Sequence, residues 1–206
     1  MLIQGRKKTV KKGDLTRQRV IASAATIFNQ RGFEGASMLD VMEATGLEKG
    51  GLYRHFSSKE ELAAEAFRYS LKQATKTRTD GLDHVQGVIP KLEFLIHRFG
   101  NTPSSLPGGC PLLNTAVDSD DGNPVLRKLA RRAFASWKKR LSRLIAQGIK
   151  AGEIRRHTDP DQLANTIIAS LEGALVLSRI EGSREPLKDV QSSLTHLIKT
   201  IATRRN

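Results

Sequence analysis

Apolar residues recur at spacings of three and four along most of the chain, which indicates amphipathic helices and no credible strand. The pattern predicts an all-α fold of about nine helices. Pro90 interrupts one of the predicted helices and predicts a kink there, because proline removes a backbone donor. The longer helices are expected at residues 16–31, 58–78, 82–99, 125–151, 160–180 and 185–203, with a short one at 112–117 inside a Gly- and Pro-rich segment.

The segment from Ser37 to Leu62 contains three closely spaced helix signals. Ser37 and Asp40 form a capping-box-like pattern, and Gly46 supplies a stop that tolerates positive φ. Met38, Leu39 and Met42 are expected to form the apolar edge of this first short helix. A second short, polar helix is expected to run from about residue 47 to 56. A helix, a glycine turn and a short polar helix indicate a helix-turn-helix, whose second helix enters the DNA major groove.

The run GLEKGGLYRHFSSKEEL, residues 46–62, resembles the signature of the TetR family of bacterial transcriptional repressors, and the likeness covers about residues 16–67. This resemblance implies a basic flexible arm at 1–15, a three-helix DNA-binding domain at 16–62 and a helical effector-binding and dimerisation domain at 63–206. It also implies a dimeric repressor, whose two symmetry-related recognition helices bind an operator of double-stranded DNA. A small-molecule effector in the C-terminal domain would release the operator.

Candidate DNA contacts follow from residue chemistry and from the resemblance. Glycines remove side chains so that the backbone approaches the duplex, while basic and hydroxyl side chains reach phosphates or base edges. Leu47, Leu52 and Phe56 are assigned instead to the core of the hairpin. The resemblance implies phosphate contacts from Ser37 and Lys59 at the starts of two helices. The full set of candidates is Arg17, Ser37, Lys49, Gly50, Gly51, Tyr53, Arg54, His55 and Lys59.

The chain has 206 residues and a formal net charge of +13, which suggests an anionic partner. Residues 1–19 carry seven Lys or Arg against Asp14 alone, and DNA contact is favoured there over a merely solvated tail. A second basic cluster on the helix at 127–143 has no acidic residue within it. This cluster could be a solvated face, a surface for an acidic partner or the mouth of a pocket for an anionic ligand. Charge alone would also fit a sequence-independent DNA-coating protein.

Several classes of protein are disfavoured by the sequence. No apolar run approaches the roughly 18 residues that span a bilayer, and the N-terminus lacks the apolar core of a signal peptide. A single cysteine, Cys110, excludes an intrachain disulfide and a Cys-based zinc cage. An enzyme with Cys110 as nucleophile and His84 or His97 as base would lack an orienting group. We therefore expect a cytoplasmic, non-enzymatic protein without cofactor, metal or membrane partner.

The last two predicted helices are the expected dimer interface. One carries the apolar stripe Leu163, Ile167, Ile168, Leu171, Ala174 and Leu175, and the other carries Leu187, Val190, Leu194, Leu197, Ile198 and Ile201. The resemblance implies a four-helix bundle between two copies. The alternative is that both stripes close the core of a single chain.

The effector site is expected among aromatic and polar residues of the C-terminal half. Cys110 suggests a second hypothesis, because the segment GGCPLLNTAVD resembles a loop of TetR proteins that sense electrophiles or oxidants. Reactivity would require a lowered thiol pKa, whereas a buried cysteine would act as a small hydrophobe. The candidate effector contacts are Phe94, His97, Cys110, Asn114, Phe134, Trp137 and Glu172.

Overall fold

The computed structural model describes residues 12–203, which form nine α-helices and, within that range, no strand beyond one isolated bridge between Ile154 and Ala202. The predicted all-α fold is confirmed. A single 3-10 turn, Leu82–His84, separates the fourth and fifth helices. The helices are α1 Lys12–Arg31, α2 Met38–Thr45, α3 Lys49–Tyr53, α4 Lys59–Thr79, α5 Val88–Asn101, α6 Pro111–Asp118, α7 Pro124–Lys150, α8 Pro160–Glu181 and α9 Glu185–Ile201.

The N-terminal unit packs α1, α2, α3 and the first turns of α4 around one apolar core. Leu52 and Phe56 are fully buried there, as the sequence predicted. Helix α1 begins at Lys12, four residues earlier than predicted, so residues 12–15 belong to a helix and not to an arm. The remainder of the predicted basic arm, residues 1–11, lies outside the described residues.

Local chain signals set the ends of α2 and α3. Ser37 caps α2 and Gly46 ends it in the left-handed region at φ 66°, as predicted. Helix α3 spans only five residues, so Arg54 and His55 follow it in a turn closed by a bond from the His55 N–H to the Leu52 carbonyl. The predicted extension of this helix to residue 56 is wrong, because the chain forms a hydrogen-bonded turn after Tyr53. Leu39, assigned to the apolar edge of α2, is 58% exposed.

Pro90 does not kink a helix, which corrects the sequence prediction. Helix α5 begins at Val88, so Pro90 lies in its first turn, where backbone N–H groups have no intrahelical acceptor to lose. Gly87, at φ 83°, separates α5 from the 3-10 turn before it. The predicted helix at 82–99 is therefore two elements.

Helices α5, α7, α8 and α9 enclose the largest core cluster. Both stripes assigned to the dimer interface contribute to it, since Leu163, Ile167 and Leu171 of α8 and Leu194 and Ile198 of α9 are at most 7% exposed. The structure therefore favours the alternative, in which both stripes close the core of a single chain, with α8 packed against α7 and α9.

Helix α8 is apolar on its outer side as well. An 18-residue window of it has a mean hydropathy of 1.3, so it passes a test for a membrane-spanning helix by length and composition alone, as core helices also do. Its buried side chains pack in the core of the C-terminal half, as a core helix would. Val176, Leu177 and Ile180 lie exposed on the opposite side.

Helix α4 joins the two halves of the chain. Its first turns place Leu62 and Ala66 in the N-terminal core, and the next residue, Phe67, lies in a third cluster with Cys110 and Leu112. Ser58 caps its start by accepting a hydrogen bond from the Glu61 N–H at 3.1 Å. One continuous helix of 21 residues therefore contacts both the helix-turn-helix and the C-terminal core.

Candidate DNA interface and ligand cavity

The exposed side chains of α3 and the turn after it form a compact polar surface. Lys49 and Gly50 begin the helix, Tyr53 is 43% exposed at its end, and Arg54 is exposed immediately beyond. His55 is half-buried, with its ring tilted against the Phe56 ring at a centroid distance of 6.5 Å. Four of the candidate DNA contacts are therefore neighbours on one accessible surface, and His55 lies at its edge.

The two glycines of α3 are not required by packing within the chain. A Cβ at Gly50 would meet no atom within 4 Å, and one at Gly51 would only touch the Leu47 side chain at 3.7 Å. Neither glycine has a positive φ among the backbone angles of the described residues. Because the two glycines have no side chains, the backbone of α3 is left uncovered here, and another molecule can approach it closely.

Ser37 is fully engaged in capping α2. Its Oγ accepts from the Asp40 N–H at 3.1 Å and donates to Asp40 Oδ2 at 2.6 Å, while its own N–H donates to the same carboxylate at 2.7 Å. These bonds, the side-chain bond foremost, hold the pKa of Asp40 below its ordinary value. Arg31 adds an ion pair to Asp40 at 2.5 Å. The backbone N–H groups of Met38 and Leu39, in the first turn of α2, have no acceptor within the helix and remain available to bind an anion.

Two of the candidate DNA contacts are packed on aromatic rings. The Arg17 guanidinium lies 4.8 Å from the centre of the Phe56 ring and 3.7 Å from Glu65. The Lys59 Nζ lies 4.3 Å from the centre of the Phe33 ring. Both cations therefore support the helix-turn-helix core, besides any phosphate contact.

A cavity of about 800 Å³ lies in the C-terminal half, bounded by α4, α5, α7, the start of α6 and two residues of α8. Its walls include the buried side chains of Leu92, Ile96 and Leu171. This volume is within the range of roughly 300–1,000 Å³ that is usual for small-molecule sites. Cys110 and Trp137 line it, as the sequence predicted for an effector site.

Cys110 is a buried, protonated thiol. It is 2% exposed, and its Sγ donates a hydrogen bond to Glu172 Oε1 at 2.9 Å. Burial raises its pKa to about 11, and the Glu172 carboxylate adds to the rise, while Arg78 opposes both. Burial likewise raises the pKa of Glu172, whose Oε2 accepts no hydrogen bond from any residue of the range 12–203. The lowered pKa expected for a reactive thiol is therefore wrong.

The other predicted effector residues do not line the cavity. Phe94 packs beside Gly81 and Arg98, and His97 faces a separate surface pocket with Gln191. Phe134 stacks against Trp137 within the core at a centroid distance of 6.5 Å. Glu172 is not a lining residue, but its carboxylate accepts a hydrogen bond from Cys110, which does line the cavity. His97 and Cys110 lie in different places, so they do not form a nucleophile and base.

Asn114 belongs to the joint between the two halves. Its Nδ2 donates to the carbonyls of Asn29 in α1 and Gly108 at 3.0 and 2.7 Å. The Asn29 amide in turn donates to the Pro107 carbonyl at 2.6 Å, and Asp118 Oδ2 accepts from the Phe33 N–H at 2.7 Å. Helix α6 and the loop before it are therefore hydrogen-bonded to the end of α1.

Sequence reasoning left a pocket mouth open as one role of the basic cluster at 127–143, but it did not identify Arg78 of α4 as part of the cavity wall. Arg78 lies 3.9 Å from the centre of the Phe99 ring, and both side chains line the cavity. Phe99 also stacks on Trp137 at a centroid distance of 5.9 Å. The basic pattern on α7 was the available signal, since Arg140 and Arg143 of that cluster reach the cavity.

Two family descriptions match this chain. Bacterial regulatory proteins of the tetR family match residues 20–66, and the tetracyclin repressor-like C-terminal domain matches residues 89–194. The HTH-type transcriptional repressor DhaR of Mycobacterium sp. (strain GP1) is 31% identical over 172 residues, covering 83% of this chain and 86% of its own.

Solved structures are similar over nearly the whole chain. A TetR transcriptional regulator from Chloroflexus aurantiacus J-10-FL is 42% identical with a TM-score of 0.88, covering 93% of this chain and 98% of its own. A cysteine mutant of the TetR family regulator CifR, bound to a 26-bp operator DNA, is 24% identical with a TM-score of 0.76, covering 93% and 98%. The second likeness concerns the fold.

Proposed function

Because the chain belongs to the TetR family of bacterial transcriptional regulators, DNA-binding proteins that act on transcription, we propose that it is a homodimeric repressor released from its operator by a small molecule. The observation that carries this proposal is the course of α4. Its first turn packs in the core of the helix-turn-helix, and its later turns, with Leu71 and Ala74, line the cavity of about 800 Å³. A ligand that moves α4 would move the DNA-binding unit.

The DNA contacts are proposed to come from the surface that begins at Lys49. Lys49 and Arg54 supply reach and charge, the Tyr53 hydroxyl supplies a phosphate contact, and Gly50 lets the backbone approach the duplex. The first turn of α2 binds phosphate through its orphan N–H groups. Base readout then depends mainly on Lys49 and Arg54. A cytoplasmic location follows from this role.

Release is proposed to run through two connections between the halves. One is α4 itself, and the other is the hydrogen-bonded joint of Asn114 with Asn29 and of Asp118 with the Phe33 N–H. A ligand shifts the equilibrium only by its difference in affinity for the two states, so the effector must favour the state in which the recognition helices are misplaced. Reciprocally, operator DNA weakens effector binding by the same factor.

The dimer is proposed to form through the outer faces of α8 and α9. Val176, Leu177 and Ile180 expose apolar area on α8, and Ala169 and Gly173 on the same face permit close approach of a second helix. A Cβ at Gly173 would meet no atom of this chain within 4 Å. Two copies would present two recognition helices to an operator with two-fold symmetry.

The test is an anisotropy titration of the full-length protein against DNA flanking its own gene, at physiological salt with excess competitor. We expect saturable binding to one inverted repeat, and Lys49→Ala should weaken it at least tenfold. Lys139→Ala, at an exposed site on α7, is the matched control and should leave affinity unchanged. Uniform, salt-sensitive binding to every fragment would instead identify a sequence-independent DNA-coating protein.

A further inference from the structure

Six cations line the cavity, and Asp83 is the one carboxylate among its described lining residues. They come from three different helices: Lys72, Lys76 and Arg78 from α4, Lys91 from α5, and Arg140 and Arg143 from α7. A solvated basic face would lie along the outside of one helix. Convergence from three helices on one cavity instead concentrates positive potential around that cavity.

None of these six cations forms a direct ion pair with another described residue. The ion pairs found within residues 12–203 involve Arg17, Arg31, Arg68 and Lys188, none of which lines the cavity. Other basic residues of α7, including Lys138 and Lys139, do not line the cavity and remain available as a comparison set.

Two of the six cations are held in place by neighbours in the cavity wall. The Arg78 guanidinium stacks on the Phe99 ring at 3.9 Å, and its charge partly opposes the rise that burial causes in the pKa of Cys110 and of Glu172. Arg140 donates to the Ser136 hydroxyl at 2.9 Å, and Ser136 also lines the cavity. Side chains ordered in this way lose less entropy when they bind an anion.

Most of the remaining wall is apolar. Leu92, Ile96, Leu141, Ile167 and Leu171 are buried side chains that line it, next to the stacked rings of Phe99 and Trp137. A purely polar anion would leave this surface uncovered, and a purely apolar molecule would leave the cations without a counterion.

We infer that the effector is an amphipathic anion, with a carboxylate or phosphate-type head group bound by Arg78 and Arg140 and an apolar body against Phe99 and Trp137. This inference rests on the proposed function, which makes the cavity the effector site. It adds the chemical class of the ligand, and it assigns part of the basic cluster of α7 to recognition of that ligand. Guanidinium groups suit this task because they bind planar anions with two parallel hydrogen bonds.

The test uses three probes that share one alkyl chain and differ in the charge of the head group: decanoate, decan-1-ol and decyltrimethylammonium. Trp137, the one tryptophan of the chain, lines the cavity and reports binding by its fluorescence. We expect decanoate to bind at least tenfold more tightly than either other probe, and added salt should reduce that preference. Equal affinities, or a preference for the cation, would overturn the inference.

The variants Arg78→Gln and Arg140→Gln test whether these two arginines bind the head group. Each should weaken decanoate binding about tenfold and leave decan-1-ol unchanged, as expected for loss of a charge-assisted hydrogen bond. Arg140 is exposed, so its variant should fold even if Arg78→Gln does not. Lys138→Gln with Lys139→Gln is the matched control. A preference for decanoate that survives both arginine variants would contradict the assignment.

Failure of this inference is separable from failure of the proposed function. If decan-1-ol binds at Trp137 and releases operator DNA while decanoate does neither, the cavity is an effector site but not one for anions. If no probe changes the Trp137 signal, the inference is overturned. Should operator binding also prove unresponsive to any cell-derived small molecule, the effector-release part of the proposed function fails as well.

Discussion

The reactivity of Cys110 is controlled by its burial and by two neighbouring charges. Burial, the Glu172 carboxylate and Arg78 together move its pKa from an ordinary 9.0 to about 11. The thiolate is the nucleophile, so at neutral pH this rise of about two pKa units lowers the reactive fraction roughly a hundredfold. Since the residue is also 2% exposed, we expect alkylation at pH 7.5 to be at least a hundredfold slower than for the unfolded chain.

The two neighbouring charges allow the cause to be tested by opposite changes. Glu172→Gln removes the carboxylate that raises the pKa and should accelerate alkylation, by up to about tenfold, because burial remains the larger cause. Arg78→Gln removes the charge that lowers the pKa and should slow the reaction further. Both variants alter the same thiol without changing its own chemistry.

The assay is alkylation by iodoacetamide followed by mass spectrometry of the intact chain, from pH 7 to 11. The rate should rise about tenfold per pH unit over most of this range, with the chain in urea as the control. A plateau near pH 8, or a folded-state rate equal to that in urea, would refute the reasoning. Either result would restore the hypothesis of a reactive thiol sensor, which predicts loss of inducer response in Cys110→Ser.

Three further predictions concern the DNA-binding unit and the dimer. Gly50→Ala should raise the free energy of unfolding, measured in urea, by about 0.5 kcal/mol, because alanine favours the helix and its methyl group meets no atom of the chain. The same variant should weaken operator binding, measured by anisotropy, because the added methyl group faces the duplex; a lower free energy of unfolding would contradict this. Ser37→Ala should return the Asp40 pKa toward its ordinary value in an NMR titration. The variant should then lack the stability that the lowered pKa supplies above the unfolded-state pKa and that the native chain loses as the pH falls through the folded-state pKa, so its stability should depend less on pH in acid; an unchanged Asp40 titration would oppose the account. Ile180→Arg should yield a folded monomer by light scattering, with Leu39→Arg as the exposed apolar control that stays dimeric; a dimeric Ile180→Arg variant would remove α8 from the interface.

The helix-turn-helix was predictable because its signals are local. Ser37 with Asp40 and Gly46 act within one or two turns of the chain, and the structure shows the predicted cap and stop. Burial of Leu52 and Phe56 followed from the same short pattern. The errors occur at helix ends: α1 begins at Lys12, before the predicted start, and α3 ends after Tyr53 because the chain forms a turn there.

The role of α8 was not predictable from periodicity. Its sequence is apolar on two sides, and periodicity shows which residues share a face but not which face meets the rest of the chain. Leu163 and Ile167 fill the core, whereas Leu177 and Ile180 remain exposed. That choice depends on how α7 and α9 pack, which involves residues far away in the sequence.

The chemistry of the cavity depends on distant contacts in the same way. The segment around Cys110 left a reactive thiol and a buried one both open, and the contact that distinguishes them comes from Glu172, 62 residues away, which accepts a hydrogen bond from the buried thiol. Arg78 and Arg140 reach one cavity from two helices, and no spacing within either helix shows this. Trp137 was predictable as a lining residue because it lies on the apolar side of a strongly amphipathic helix.

The measurement that tests the central claim most directly is the ratio of two affinities at physiological salt. The first is for the inverted repeat identified beside the gene, and the second is for a scrambled duplex of the same length and composition. The account predicts a ratio of about 10³ or more, as is usual for specific DNA recognition. A ratio near one, with both affinities falling steeply as salt rises, would contradict the claim that this chain is an operator-specific regulator.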